Sequence, residues 1–541
     1  MPKNIVVMSD GTGQVGGKGH DTNVYKFFRM LEDRTDRQIV FYDEGLGTVE
    51  NPLTGKIFGT GFTRNILQCY KFIFENYKAG DQLFFFGFSR GAATVRSLAS
   101  FIHYFGILPL SRPELIGEAY SLYQNRKQPK RSEAESTVQA EGRSFKEKMA
   151  SRAFKAIDKI AYQYNQVAHE DLEETSAEFV HQHPNQWVNI EFLGVWDTVP
   201  ALGLVPLPGI DYLIDRVPAW KHQYHDFKLH PSVRHAYHAL SIDDDRKWFF
   251  PTVWKEYDPG KQTVEQVWFG GAHTDVGGGF WEAGFSDIAL EWMAQKALQH
   301  GIWLYLHSRR YWNFCIAPDA TDMFHSPRMG WSRIFKAGIR ETIWDGQAYQ
   351  VFGPPRIHES VLERARQEPA YRPWILRNYP DVDAWFEQKY QDLLHEKYRQ
   401  EANERYETWF MGRRAQGAKI LPGLVAWLAE PENSYQTWLS KNKYSFEDFL
   451  KEYRYSVEEF EGKKILVERA GLELSAAGDL RDYDRTSLPT KLAKIYEDRS
   501  AFDSLWDRAV DRKLKRDRIK YDSERWKTIV SAPNEKRAHD G

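Results

Sequence analysis

Apolar residues in the first 300 positions fall into short runs that alternate with amphipathic stretches. Six runs have the length and composition of buried strands, at residues 4–8, 38–42, 82–86, 188–195, 236–242 and 266–270. Between them, residues 23–31 and 62–77 carry apolar side chains at helical spacing. Strands that alternate with helices predict an α/β fold, with a mostly parallel sheet covered by helices.

Two regions depart from this alternation. Residues 110–185 contain a charged Ser/Gln/Glu-rich piece, 125–148, and an amphipathic helix candidate, 154–166. We interpret this region as an insertion that forms either a lid or a solvated surface excursion. Beyond residue 300, helix-like segments rich in Trp, Tyr and Arg dominate, as at 381–398 and 445–461. We therefore predict an α/β domain over 1–300 and a mainly helical cap or membrane-associated region over 301–541.

Two segments of the second half bear on membrane contact. Residues 419–428 are its most apolar stretch, which either packs within its own domain or docks on a membrane surface. A basic cluster at residues 512–520 is either a solvated helix face or a site of attraction to anionic lipid head groups. Peripheral membrane contact is therefore one hypothesis for this half.

Composition narrows the class of protein. A net charge of -2 argues against nucleic acid as a bulk partner. The two cysteines form neither a disulfide framework nor a metal-binding pattern, which is typical of a reducing compartment. The sequence shows no signal peptide and no apolar run long enough to span a bilayer, so we expect a cytoplasmic chain in the producing cell. The 19 tryptophans would suit an enzyme that meets lipid.

A short motif follows the third predicted strand. Gly87, Ser89 and Gly91 form Gly-x-Ser-x-Gly between the apolar run 83–86 and a helix-compatible stretch, 92–102. This order of strand, turn and helix is typical of a nucleophile elbow, which exposes a serine at the carboxyl edge of a sheet. Ser89 is therefore the predicted catalytic nucleophile, and the alternative is a chance match in a glycine-containing turn.

A serine nucleophile needs a general base and a group that orients the base. In elbow enzymes the acid and then the histidine follow the serine, on loops after later strands. His273 follows the sixth predicted strand in a glycine-rich loop, and it is the predicted base. Asp197 directly follows the fourth predicted strand and is the predicted acid. Asp245, with Asp243 and Asp244, follows the fifth predicted strand and is the alternative acid.

Acyl transfer also requires donors for the oxyanion. The elbow supplies one, the backbone N–H of Arg90, and the loop after the first strand offers the N–H of Gly11 or Thr12. Residues 11–16 also match the dinucleotide fingerprint G-x-G-x-x-G. That fingerprint must open a helix, and Gly-Lys-Gly-His at 17–20 does not favour one. We therefore predict no nucleotide cofactor, and the proposed chemistry needs no metal.

Five blocks of sequence together resemble the DUF2235 α/β-hydrolase family, whose characterised bacterial members are phospholipase effectors of the type VI secretion system. The blocks are DGTG (10–13) with TNV (22–24), FYDEGLGT (41–48), GFSRGA (87–92), VWDTV (195–199) and VWFGGAHTDVGGG (267–279). The resemblance covers roughly residues 3–300, in the family's order. It implies a triad of Ser89, Asp197 and His273 that hydrolyses ester bonds of glycerophospholipids.

The resemblance also implies a biological setting. A type VI effector is translocated out of the producing cell, and its partners include the secretion apparatus and immunity proteins. Two other functions stay open from the sequence. One is a general carboxylesterase or acyl hydrolase without lipid preference, and the other is a non-catalytic binding or scaffold module of the same fold.

Overall fold

A computed structural model describes most of the catalytic region and part of the second half. The described residues are 2–11, 16–17, 20–45, 56–124, 172–199, 227–246, 249–305, 308, 316–328, 337–340, 344, 346–415, 431–442, 445 and 456–469. The chain forms two compact units, of which the first includes residues up to Ile343 and the second is Trp344–Ala470.

The first unit is built on six parallel strands in the order β2-β1-β3-β4-β5-β6. The strands are β1 Asn4–Ser9, β2 Gln38–Asp43, β3 Gln82–Phe88, β4 Ile190–Trp196, β5 Val233–Ser241 and β6 Thr263–Phe269. Each overlaps one of the six predicted runs, so the prediction of a mostly parallel α/β sheet is confirmed. In a parallel sheet all carboxyl ends lie at one edge, and loops at that edge commonly form ligand sites.

Helices cover this sheet. They are α1 Asn23–Met30, α2 Lys56–Asn76 and α3 Arg90–Phe105, followed by α4 Leu115–Gln124, a helical stretch at 172–182, and two helices at His273–Gly277 and Gly284–Gln299. Strand β1 is buried along its whole length, and β3 is buried after its first residue. Continuous apolar runs are expected for parallel strands that are covered on both faces.

The predicted insertion is only partly described. Helix α4 and the helical stretch at 172–182 belong to it, whereas the polar piece 125–148 and the helix candidate 154–166 lie outside the described residues. The lid interpretation therefore stays a prediction.

The second unit is mainly helical in its described part. Its helices are Gly346–Phe352, Glu359–Gln367, Trp374–Arg377, Asp383–Ala415 and Tyr435–Lys441. It also contains strands β7 Arg356–His358, β8 Ser456–Phe460 and β9 Lys463–Glu468, with β9 parallel to β7 and antiparallel to β8. The helix-like interpretation of 445–461 is therefore wrong for residues 456–460. Val457 and Phe460 have helical spacing, but pairing with β9 outweighs this local preference.

The candidate membrane segments 419–428 and 512–520 both lie outside the described residues, including Leu424, Trp427 and Leu428. Within the described part of the chain, no helix combines the length and the apolar character that crossing a bilayer requires.

Candidate active site

Ser89 lies in a sharp turn between β3 and α3. Its φ of 56° and ψ of -118° are unusual for a residue with a side chain, as expected for a strained elbow. Gly91 is required here because a Cβ at this position would lie 2.0 Å from the Ser9 carbonyl oxygen. The turn is held by backbone hydrogen bonds, since the Ser89 N–H donates to Trp196 and the Val199 N–H donates to the Ser89 carbonyl. The elbow thus packs against the loops after β1 and β4.

The structure brings the three predicted triad residues into one hydrogen-bonded line. The Ser89 Oγ lies 2.8 Å from Nε2 of His273, and Nδ1 of the same ring lies 2.6 Å from Oδ2 of Asp197. All three residues are buried, with Ser89 8% exposed and Asp197 fully enclosed. Both are hydrogen-bond distances, and the first allows proton transfer from the Ser89 hydroxyl to the imidazole.

Asp197 is held on every side by donors. Arg340 donates from Nη1 to Oδ1 at 2.7 Å and from Nη2 to Oδ2 at 3.1 Å, and the Ser241 N–H donates to Oδ1 at 3.0 Å. Burial alone would raise the pKa of Asp197. The positive charge of Arg340 and the hydrogen bonds from His273 and Arg340 outweigh burial and hold the pKa well below its usual range. The carboxylate is therefore ionised throughout the range in which an enzyme works.

His273 begins the helix His273–Gly277, directly after the turn that follows β6. The ring lies between Phe88, at a centroid distance of 4.7 Å, and Phe249, at 5.3 Å. Burial in these surroundings lowers the pKa of His273, and Asp197 offsets only part of the change. The imidazole is consequently neutral at neutral pH, which is the state that a general base requires.

The aspartates after β5 have different partners. Asp243 Oδ2 accepts from the Gly271 N–H at 2.8 Å, and Asp244 Oδ2 accepts from the His273 backbone N–H at 3.1 Å. Asp245, the alternative acid, pairs with Arg328 at 2.7 Å. The structure therefore directs Asp243 and Asp244 to the backbone of the histidine loop. It brings Asp197, rather than Asp245, to the imidazole.

Two of the three predicted oxyanion donors, the N–H groups of Arg90 and Gly11, lie within the described residues. Arg90 is the first residue of α3, and N–H groups in a first helical turn have no acceptor within the helix. The Gly11 N–H differs from expectation, because it donates to Oδ1 of the preceding Asp10 at 2.6 Å. Burial raises the pKa of Asp10 to about 6, although hydrogen bonds from Tyr42 and Thr22 oppose the change. Thr12 lies outside the described residues.

One group of side chains in the described part of the chain has the composition of a metal site. Ligand atoms of Glu191, His235 and His300 lie within 4.8 Å of one another, at the amino edge of β4 and β5. The other Glu191 oxygen accepts from Arg234 at 2.9 Å, and Nε2 of His300 bonds the Tyr237 hydroxyl at 2.8 Å. The imidazole rings of His235 and His300 stack with their centroids 3.8 Å apart and an interplanar angle of 24°. In this arrangement Arg234 already donates to Glu191, and the Tyr237 hydroxyl already bonds His300.

Arg340 contacts both oxygens of Asp197, and no sequence pattern predicts this role. It lies beyond the predicted domain boundary at about residue 300, and no local motif marks it. A buried carboxylate needs a partner to remain charged, so a cation was to be expected. Nothing in the sequence indicates which of the 73 lysines and arginines fills that role.

An α/β sheet with a strained serine after one strand, and with acid and histidine after later strands, has the architecture of serine hydrolases of the α/β-hydrolase type. Residues 3–296 match the family described as "T6SS, Phospholipase effector Tle1-like, catalytic domain". The match covers more than half of the 541 residues, and the chain belongs to this family.

Similar proteins cover parts of the chain. The uncharacterized yeast protein YEL023C from Saccharomyces cerevisiae is 30% identical over 139 residues, which are 23% of this chain and 20% of the yeast protein. An uncharacterized Pseudomonas aeruginosa protein of known structure is 14% identical with a TM-score of 0.32, over 80% of this chain and 63% of its own. The Tle1 effector, solved bound to the VgrG spike of the type VI secretion system, is 17% identical with a TM-score of 0.27, over 52% and 51%.

Proposed function

We propose that the protein is a serine ester hydrolase that acts through Ser89, His273 and Asp197. The observation that carries this proposal is the hydrogen-bonded line from the Ser89 Oγ through the His273 imidazole to Asp197, with distances of 2.8 and 2.6 Å. The strained backbone of Ser89 supports the same role, because folding does not favour a positive φ at a serine without a compensating reason.

The chemistry follows from the positions of the protons. Nε2 of His273 takes the Ser89 proton while the Ser89 Oγ attacks the ester carbonyl carbon. The tetrahedral intermediate collapses when the imidazolium returns that proton to the leaving alcohol, which leaves an acyl group on Ser89. In the second half, His273 takes a proton from a water molecule that attacks the acyl carbon. It returns that proton to the Ser89 Oγ as the bond from Oγ to the acyl carbon breaks and the carboxylic acid departs. Asp197 fixes the imidazole tautomer with the proton on Nδ1.

The oxyanion requires donors at the elbow. The Arg90 N–H follows the nucleophile directly, which is the position that supplies one donor in this architecture. We propose that the loop after β1 supplies the second, since it lies against Gly91. Gly11 can take this role only when its N–H breaks its hydrogen bond to the Asp10 carboxylate. The second donor is therefore available only when substrate or another residue of this loop displaces that bond.

We propose glycerophospholipids as substrates, cleaved at a carboxylic ester in the manner of a phospholipase A. Membership in a family named for phospholipase effectors supports this choice. By extension from the Tle1 effector bound to VgrG, we propose that a type VI apparatus carries the protein out of the cytoplasm of its producer. An immunity protein would then protect the producing cell.

The decisive experiment is lipid product analysis with the purified full chain beside its Ser89→Ala variant. Ser440→Ala is a matched control, because Ser440 is exposed and lies in the second unit. We expect fatty acid and lysophospholipid from wild type and from Ser440→Ala, and neither product from Ser89→Ala. Product from the Ser89→Ala variant at a tenth of the wild-type rate or more would remove Ser89 from the nucleophile's role.

Two further measurements separate the alternatives. Hydrolysis of short soluble esters without hydrolysis of phospholipid vesicles would indicate a general esterase. Absence of both activities, together with no labelling by a fluorophosphonate probe, would indicate a non-catalytic module. Co-sedimentation with neutral and anionic vesicles at two salt concentrations tests peripheral membrane contact, because attraction between exposed charges weakens as salt rises.

A further inference from the structure

Arg340 is a buried arginine that contacts Asp197 in the candidate site. Its side chain is fully enclosed, and it lies outside the matched domain of residues 3–296. Besides Asp197, the guanidinium donates to three backbone carbonyl oxygens, those of Asp244 at 2.9 Å, Ser241 at 2.9 Å and Phe249 at 2.7 Å. Every nitrogen of the guanidinium is therefore engaged, which is what burial of an arginine requires.

The short segment 337–340 is fixed at this position by its backbone. Gly338 donates its N–H to the Asp245 carbonyl oxygen at 2.8 Å, and Ala337 forms a β-bridge with Arg246. The backbone contacts of segment 337–340 and the Asp197 carboxylate thus both hold the Arg340 side chain in place. A fork anchored in this way restricts the rotation of the Asp197 carboxylate.

Other charged groups near the dyad largely cancel. Asp244 and Arg246 face His273 from the loop after β5, and they pair with each other through Nε at 3.0 Å and Nη2 at 2.5 Å. His238 of β5 faces Asp197, and burial lowers its pKa to about 3, so it is neutral. Arg340 is therefore the cation that balances Asp197 within the described surroundings of the dyad.

We propose that Arg340 is a positioning residue of the candidate active site, which fixes both oxygens of Asp197 and balances its charge, so that Asp197 orients the neutral His273 ring without stabilising the imidazolium before Ser89 reacts. This inference rests on the proposed function and adds a residue from outside the matched domain. In the usual triad the carboxylate stabilises the imidazolium through its negative charge. Here Arg340 balances the charge of the ionised carboxylate, which keeps its orienting hydrogen bond to His273. His273 then stays free to act as a base under mildly acidic conditions.

The proposal makes a charge-specific prediction. Arg340→Met removes a cation within 3.1 Å of the dyad, so the dyad binds its next proton more tightly, whether that proton lies on His273 or on Asp197. Arg340→Lys keeps the charge and loses the planar fork. Arg328→Met is the matched control, because Arg328 pairs with the neighbouring Asp245 instead. If Arg340 had only a structural role, its replacement would change the stability of the fold without changing the pH at which His273 titrates.

The test is an NMR titration of His273 in the full chain with 13Cε1-labelled histidine, with the His273 signal assigned by its loss in His273→Gln. We expect the titration midpoint to rise by about one unit or more in Arg340→Met. It should stay near the wild-type value in Arg340→Lys and Arg328→Met. Equal midpoints in wild type and Arg340→Met would overturn the proposal.

Removal of Arg340 leaves a buried carboxylate without its cation, which can prevent folding. The pair Asp197→Asn and Asp197→Asn/Arg340→Met supplies a second comparison, in which the double variant contains no unbalanced charge at the two positions, and thermal melts check that both variants are folded. The same upward shift is expected between these two variants, and its absence would also overturn the proposal. The titration needs no substrate, so a failure of the ester hydrolase assignment would appear separately, as absent hydrolysis by the wild type.

Discussion

The two edges of the parallel sheet both enclose polar side chains, and they use them differently. At the carboxyl edge, Asp197, His273 and Ser89 form an open line that ends on the Ser89 hydroxyl. At the amino edge, the imidazoles of His235 and His300 stack, His300 bonds the Tyr237 hydroxyl, and Glu191 accepts a hydrogen bond from Arg234. The first arrangement ends at an atom that can react with a substrate, whereas the side chains of the second bond to other protein groups.

Backbone strain distinguishes the edges as well. Ser89 and Asp197, both at the carboxyl edge, have positive φ values of 56° and 37°. Each such residue costs on the order of 1–3 kcal/mol, which the surrounding packing must supply. His235 lies within the regular strand β5, and positive φ is absent there. Composition alone therefore does not identify a reactive site, because histidine and carboxylate occur at both edges. The following predictions test whether activity belongs only to the carboxyl edge.

Loss of the proposed nucleophile, Ser89, should have the largest effect. Ser89→Ala is expected to lower kcat/KM for an ester substrate at least about ten-thousandfold, since only the residual catalysis of the remaining site persists. The melting temperature should stay close to wild type or rise, because alanine removes only a hydroxyl group from the turn. Steady-state kinetics and thermal unfolding measure the two quantities. Substantial turnover by a folded Ser89→Ala variant would place the chemistry elsewhere.

The acid should show the next largest effect. Asp197→Asn is expected to lower kcat about a thousandfold, because an asparagine amide favours the wrong imidazole tautomer. Asp245→Asn is the control at the same edge, and its partly exposed ion pair with Arg328 predicts a change of less than about threefold. Kinetics of both variants at one pH decide between them. A larger loss in Asp245→Asn would reverse the assignment that the geometry favours.

The pH dependence of activity should follow His273. The base must be neutral, and burial lowers the pKa of His273 below its ordinary value of about 6.5. We therefore expect the acidic midpoint of kcat/KM, at which His273 becomes protonated, to lie below pH 6.5. A pH–rate profile with a soluble ester measures this. An acidic midpoint above about pH 7 would contradict a buried imidazole beside a neutralised carboxylate.

The amino edge should affect stability rather than activity, with the smallest effect. Burial, with His235 and Lys296 nearby, lowers the pKa of His300 to about 4. The unfolded chain therefore binds a proton between about pH 6.5 and 4 that the folded chain does not, so stability falls as pH falls through this window. His300→Gln should reduce that loss in thermal melts at pH 7 and 4.5, and leave kcat at pH 8 within about twofold of wild type.

His181→Gln is the control for this last prediction, because His181 is exposed on the helical stretch at 172–182. It should follow the wild-type pH profile of stability. If His300→Gln abolished esterase activity while remaining folded, the functional separation of the two edges would be wrong.

Much of the candidate site could be predicted from the order of the motifs. Ser89, Asp197 and His273 each follow a strand, and parallel strands place such residues at a common edge. The choice between Asp197 and Asp245 could not be made from position, because both follow strands that are neighbours in the sheet. It depends on side-chain direction, which the positive φ of Asp197 and the pairing of Asp245 with Arg328 decide.

Other features depend on contacts between distant parts of the chain. The Gly11 N–H was predicted to face the oxyanion, but the buried Asp10 carboxylate accepts it, because Asp10 lacks a cation within its described contacts and needs every donor near it. Residues 456–460 were assigned to a helix, but they form a strand where β9 offers a partner. In both cases a long-range or burial requirement outweighs the local pattern.

Local sequence was sufficient to predict the parallel α/β sheet and the turn that contains Ser89, because hydrophobic periodicity and the space required by glycine act over a few neighbouring residues. The surroundings of Asp197 depend instead on long-range contacts of the folded chain. Arg340 lies 143 positions away along the chain, and the two side chains meet because a buried carboxylate and a buried guanidinium each require the other's charge. Pairing of this kind depends on the folded geometry, and no spacing rule along the chain encodes it.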